Sequence, residues 1–143
     1  METIDSFIGI FENLCIQILV SARDIQVNAL IISKIDIASS LAYLAQENNY
    51  IRPSISNNSE LNLENARHPV VETLLPMGED FIPNDINLNC RKKQIAIITG
   101  PNMAGKSTYL RQTGLIVLMA QVGSFVPASK ATIGVIDKLF TRV

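Results

Sequence analysis

The sequence predicts an α/β fold, with a helical first half and a strand, glycine loop and helix in its second half, and three observations predict it. Apolar residues over the first half recur at steps of three and four, the spacing of one helix face. The run Gln94-Ile95-Ala96-Ile97-Ile98-Thr99 is β-branched and almost continuously apolar, as in a parallel strand buried on both faces. It leads directly into Gly100-Pro101-Asn102-Met103-Ala104-Gly105-Lys106-Ser107, after which a helical pattern resumes. With 143 residues, 48% of them hydrophobic and 17% charged, the chain can bury one core or parts of two and is too apolar for a disordered tail.

From Ile4 to Val20 the residues Ile4, Phe7, Ile8, Phe11, Leu14, Cys15, Ile18 and Leu19 form one stripe of an amphipathic helix, and Ser21 is placed to cap its successor. From Ala22 to Asn48 the rows Ile31, Ile35, Ala38, Ala42, Ala45 and Ile37, Leu41, Leu44 keep helical spacing with no interior Gly or Pro. Two antiparallel helices are expected. Asn48-Asn49 and then Arg52-Pro53 end the second, because the residue before a proline is pushed out of the α region. Ser54 to Glu60 is polar and reads as a linker, which puts a domain boundary near residues 53 to 60. Short β-like runs follow at Val70-Val71, Phe81-Ile82 and Ile86 to Leu88, separated by Pro69, Pro76, Gly78 and Pro83. After the glycine loop a helix from Lys106 to about Val122 is stopped by Gly123, and Ile133 to Val143 reads as a further loop and strand that breaks off in mid-sequence.

A formal net charge of −1 supplies no general positive field for nucleic acid, so any such contact needs a local patch or other sequence. Arg23 and Lys34 are too few positive charges for the first helices to grip a polyanion. Cys15 and Cys90 stand far apart and read as free thiols of a reducing compartment. The longest strictly apolar run, Leu115 to Ala120, is far shorter than the roughly 20 residues that span a bilayer, and no signal segment opens the chain. A soluble cytoplasmic protein without a membrane partner is the expectation.

Gly100, Gly105, Lys106 and Ser107 satisfy the pattern G-x-x-x-x-G-K-[ST], in which glycines let backbone N–H donors wrap phosphate oxygens. A random chain of this length contains it by chance in roughly half a percent of cases, and the strand before and helix after are the context that confirms it. The pattern implies ATP and Mg²⁺: the helix N-terminus and Lys106 face the phosphates, the Ser107 hydroxyl ligates the metal and Thr108 contacts the α-phosphate. The loop alone does not choose among kinases, GTPases and ATPases. Asp137, at the end of Ile133-Gly134-Val135-Ile136, reads as a solvated carboxylate rather than a metal-binding one, since Gly134 weakens a central strand. No catalytic residue is expected within the chain.

The stretch Ile98-Thr99-Gly100-Pro101-Asn102-Met103-Ala104-Gly105-Lys106-Ser107-Thr108-Tyr109-Leu110-Arg111-Gln112 closely resembles the nucleotide loop of the MutS family of DNA mismatch repair proteins, Pro-Asn-Met being its most distinctive part. The resemblance continues through Leu115 to Ala128 and Ile133-Gly134 to Phe140-Thr141-Arg142-Val143, and upstream it takes in Ala66-Arg67-His68-Pro69-Val70-Val71-Glu72 and Ile35 to Pro53. It implies an incomplete fragment: residues 1–53 as the last helices of the core and lever region, 54–60 as linker, and 61–143 as the N-terminal half of a P-loop, ABC-type ATPase domain. It further implies a parent ATPase that recognises mismatched double-stranded DNA, works as a dimer and recruits a MutL-type partner, with the mismatch-reading parts and catalytic carboxylates elsewhere. Ala104 stands where many relatives have glycine, a methyl group tolerable if the local φ is negative.

Phe81 and Ile82 occupy the position at which the family sets an aromatic residue against adenine; the alternative is ordinary strand core. His68, the only histidine, reads as a structural hydrogen-bonding residue beside Pro69. Arg91-Lys92-Lys93 reads as a solvated turn, and Arg111 and Gln112 could face a neighbouring domain. Two rival readings remain: a helical interaction module with a regulatory, non-hydrolysing nucleotide site, and a small-molecule kinase, disfavoured because no Arg-rich lid is present.

Overall fold

The structure, a computed structural model, describes residues 2–141; Arg142 and Val143, the last positions of the expected terminal strand, lie outside the described residues. The chain divides into two compact units, one ending at Ser40 and the other starting at Leu41.

The first unit is helical. Helix α1 (Glu2–Val20) is followed after Ser21 alone by α2 (Ala22–Glu47), which runs on into the second unit. The burial expected of an antiparallel pair is not seen: among the described residues α1 buries none of its side chains and α2 buries only Ala45. Reversing a helix direction takes about two to five loop residues. Here the Ser21 N–H donates to Ile18 O and the Ile25 N–H to Ser21 O, each at 3.0 Å, so helical bonding continues across the junction. The stripe drawn from the sequence is therefore exposed, with Phe7 at 73%, Phe11 at 66% and Leu19 at 69%. By length and a mean hydropathy of 1.4, α2 is long and apolar enough to cross a membrane. Lys34 and Asp36 lie near its middle, however, each costing about 2.5–3.5 kcal/mol at a bilayer centre.

In the second unit α2 ends as its asparagines predict. Asn49 adopts φ 52°. The Tyr50 N–H then donates to Ala45 O at 2.9 Å and the Asn49 N–H to Gln46 O at 3.5 Å, the paired bonds of a left-handed C-terminal cap. Four strands make one sheet in the order β1-β4-β2-β3: β1 (Ser54–Ser56), β2 (Glu60–Ala66), β3 (Asn84–Asn89) and β4 (Lys130–Gly134). β1 pairs parallel with β4, and β2 pairs antiparallel with both β4 and β3. Ser54–Ser56, read as part of a linker, is thus a sheet strand; its polarity suits an edge whose Ser54 and Ile55 face solvent. The run Ile86 to Leu88 lies in β3 as expected, whereas Val71–Leu74 forms a short helix, α3, and Phe81-Ile82 forms no strand.

Helix α4 (Lys106–Gln121) packs on the sheet and buries Gln112, Ile116, Val117 and Ala120 on one face. Ile116, Val117 and Ala120 join Leu63 and Ala66 of β2, Ala131 and Ile133 of β4, and Val126 and Ala128 of the connecting loop in the core. Period-two alternation of Leu61 and Leu63, and of Ala131 and Ile133, turns one sheet face toward the helix. Gly123 at φ 86° ends α4, with the Ser124 N–H donating to Met119 O and the Gly123 N–H to Ala120 O.

The buried strand expected at 94–99 is not present. Residues 94–99 have no ladder partner among the described residues, and Ile95 and Ile97 are 83% and 84% exposed. A strand exists by pairing; the sheet's β3 edge is continued only by the isolated Asn89–Lys93 bridge.

Candidate functional site

The loop between Thr99 and α4 has the backbone that its glycines foretell. Gly100 has φ 154° and Gly105 φ 82°, and Met103 sits at φ 65°, a left-handed conformation that the sequence did not signal. Ala104 is not among the positive-φ residues, so its methyl group is accommodated as expected.

The first helical bond of α4 is from the Tyr109 N–H to Gly105 O at 2.9 Å. The N–H groups of Gly105, Lys106, Ser107 and Thr108 donate to no acceptor among the described residues, leaving four donors at the positive end of the helix. The Lys106 ammonium folds back over the loop, donating to Gly100 O at 2.6 Å and Pro101 O at 2.5 Å. Ser107 is exposed and Thr108 half-buried on the first turn. Gly100 to Thr108 thus form one loop and helix start that carries a cation, four amides without an acceptor among the described residues and a hydroxyl. That donor set suits a polyanion such as a triphosphate, and the Ser107 hydroxyl is a suitable oxygen ligand for its magnesium ion.

Two polar side chains fix this helix end to the sheet, and both escaped sequence reasoning. The Tyr109 hydroxyl donates to Asp85 O at 2.9 Å. Burial, then the Asp85 charge, pushes the Tyr109 phenol above its usual value. Gln112, expected to face another domain, is instead 1% exposed, its Nε2 donating to Ala66 O at 3.1 Å. The available signal was their position: Tyr109 and Gln112 continue, at steps of three and four, the stripe of Ile116 and Ala120. Their acceptors flank an irregularity between Leu63 and Ala66 of β2, where Asn65 at φ 49° donates its N–H to Asp85 Oδ1 at 2.7 Å.

Phe81, half-buried, and Ile82, 82% exposed, lie just before β3, within four residues of the Asp85 carbonyl that Tyr109 holds. No direct contact joins them to the phosphate loop among the described hydrogen bonds and core contacts.

His68 has the structural role read for it. It is 5% exposed, and its Nδ1 accepts the N–H groups of Val70 and Val71 at 3.2 Å, holding the chain where it enters α3. Burial above all, with Arg111 adding to it, holds its pKa below the usual 6.5, so the ring is neutral at pH 7. Beside it Arg67 donates through Nε to Glu72 Oε2 at 2.6 Å and through Nη2 to Asn48 O at 2.9 Å, tying the end of α2 to this segment. Tyr50, buried next to Glu72, has its phenol pushed up by that burial and then by the carboxylate.

Arg91-Lys92-Lys93 forms the expected exposed turn, with the N–H groups of Arg91 and Lys92 donating to Asn89 Oδ1. Cys15 and Cys90 are free. Asp137 is exposed and lines a cleft of about 480 Å³ with Glu60, Leu61, Leu88 and Gln94, which includes no residue of the loop. That cleft carries two carboxylates and no cation, so the loop is the better anion site.

A family model for MutS domain V matches residues 96–143. The chain is 58% identical over 119 residues to the DNA mismatch repair protein MutS of Bacteroides thetaiotaomicron, covering 83% of this chain and 14% of that protein. It is 56% identical over 119 residues to that of Clostridium perfringens, covering 83% and 13%. With that of Salinibacter ruber it shares 52% identity over 143 residues, covering 100% and 16%. The chain thus spans about a seventh of the length of these curated relatives.

Proposed function

The chain belongs to the MutS family, aligned with the part of its members that includes domain V, the ABC ATPase domain, and from that premise we propose that it is the ATP-binding part of a mismatch repair ATPase. Residues 61–143 are the N-terminal portion of that domain, Ser54–Ser56 and Glu60 contribute to the same sheet, and 1–53 are helices of the core and lever region. The observation that carries the reading is the Lys106 ammonium lying on the Gly100 and Pro101 carbonyls of the same loop whose N–H groups at Gly105 to Thr108 find no acceptor among the described residues. Gly100, Pro101, Asn102, Met103 and Ala104 complete the loop whose backbone wraps the triphosphate, Lys106 offsets the β and γ charge, and Thr108 meets the α-phosphate. Ser107 Oγ holds magnesium, which when bound neutralises charge on the phosphates. Phe81 and Ile82 supply an apolar surface for adenine.

These residues bind and orient. Activation of water and contacts from a second subunit belong to the parent protein, as do mismatched double-stranded DNA, dimer formation and a MutL-type partner. The exposed apolar faces of α1 and α2 suit packing against other protein segments, and with Arg23 and Lys34 as the basic residues of 1–48 they carry no phosphate grip.

Calorimetric titration with MgATP tests the reading. The chain should bind, and Lys106→Ala should weaken binding about ten- to 150-fold, the worth of a charge-assisted contact of about 1.5–3 kcal/mol. Unchanged affinity in Lys106→Ala would refute the assigned site.

A further inference from the structure

Tyr109 has a place in the fold that phosphate binding alone does not require. It lies in the first turn of α4, two residues after Ser107, yet its hydroxyl reaches out of the loop to the backbone carbonyl of Asp85 at 2.9 Å. Asp85 is in turn fixed from the other side, its carboxylate accepting the Asn65 N–H at 2.7 Å where β2 departs from regular pairing. Asn65 is itself anchored, its Nδ2 donating to Ser129 Oγ at 3.0 Å. The Asp85 carbonyl is therefore a fixed point of the sheet, and Tyr109 pins the phosphate end of α4 to it. Phe81 and Ile82 precede that point by four and three residues, a reach of at most about 14 Å of extended chain.

We infer that Tyr109 is a positioning residue that sets the distance between the phosphate loop and the Phe81–Ile82 surface, and thereby selects nucleoside triphosphates over bare polyphosphates. The inference rests on the nucleotide reading above and names what governs its base-side specificity. A ligand that engages both ends gains the second contact only if the spacing between them is already fixed, since otherwise binding must also order the connecting segment. A ligand that engages the loop alone is indifferent to that spacing. Gln112 anchors the same helix one turn further on, so loss of the Tyr109 hydroxyl loosens the spacing without freeing α4 from the core.

The test compares MgATP with inorganic triphosphate, each titrated into the full chain and into Tyr109→Phe, Phe81→Ala and the double variant. Tyr109→Phe keeps the ring and removes only the donor. The expected result is a loss of about three- to tenfold in ATP affinity, the range of one net hydrogen bond, with triphosphate affinity unchanged. The double variant should lose little more than the worse single variant, because both act on the same base-side contact. Asp85→Ala, which frees the accepting segment while keeping Tyr109, should show the same split. Equal losses for ATP and triphosphate, no loss for either, or full additivity in the double variant would each overturn the inference while leaving the loop assignment standing. Failure of the unaltered chain to bind ATP or triphosphate would instead remove the nucleotide reading, and the inference with it.

Discussion

Gly134→Ala isolates a steric demand that the sequence concealed. Gly134 ends β4, pairing with Ser56 of β1, and its position on the sheet leaves no room for a side chain. A Cβ built there would collide with Asn58 O and would stand 3.1 Å from Glu60 N and 3.3 Å from Asn58 C. All three atoms are backbone, so no rotamer change relieves the overlap. The turn that carries them is also held in place, the Glu60 N–H donating to Asn58 O at 2.9 Å and the Asn58 N–H to Ser56 Oγ at 3.0 Å. Overpacking of this kind costs about 1–3 kcal/mol. Glycine-to-alanine replacement returns about 0.4–1 kcal/mol by stiffening the unfolded chain, because no positive φ is at stake here. At mid-range the net expectation is a destabilisation of about 1.3 kcal/mol. Urea titration of dilute protein, followed by tyrosine fluorescence, measures it. Gly9→Ala serves as the contrast: it lies inside α1 with nothing within 4 Å, and should be neutral or stabilising. A urea midpoint for Gly134→Ala equal to or above the parent's would refute the steric argument, and a loss matched by Gly9→Ala would show that glycine replacement in general is responsible.

Two further outcomes are expected. Because His68 is held below its ordinary value in the fold, its contribution to stability is fully present above the unfolded value of about 6.5 and is lost as the pH falls through it toward the lower folded value. With one histidine in the chain, the urea midpoint should fall between about pH 8 and pH 5.5, and this slope should flatten in His68→Asn, whose side-chain oxygen can still accept the Val70 and Val71 N–H groups; an unchanged slope in the variant would exclude His68 as its origin. The chain by itself should associate through the exposed apolar residues of α1, α2 and 94–99 and should release no phosphate from ATP, so a monomer in sedimentation with magnesium-dependent turnover would contradict both expectations.

What could be read in advance followed from local chemistry. Asn49 and Gly123 each end a helix in the left-handed region, a preference that resides in one residue and its immediate neighbours. The left-handed glycines Gly100 and Gly105, the hydrogen-bonding role of His68 and the solvated turn at Arg91 to Lys93 are likewise short-range, which is why pattern and spacing sufficed. Where the reading of the fold went astray, the answer depended on a partner. Ser54–Ser56 is polar enough to be a loop, yet becomes a strand because β4 offers it an edge. Gln94 to Thr99 has every mark of a buried strand and is none here, since no neighbour among the described residues pairs with it.

The sequence by itself thus determined the glycine loop, the helix behind it and the family, because an eight-residue pattern and a helical stripe are properties of contiguous chain. Only the tertiary structure decided what the helix is fixed to. In sequence Tyr109 and Gln112 show only as members of a helical stripe, and they become anchors because β2 and β3 turn the carbonyls of Ala66 and Asp85 toward them from 46 and 24 residues away. Hydrogen bonds to backbone carbonyls leave no trace in the identity of the accepting residue, since every residue carries the same carbonyl; such contacts are specified by where the sheet places it.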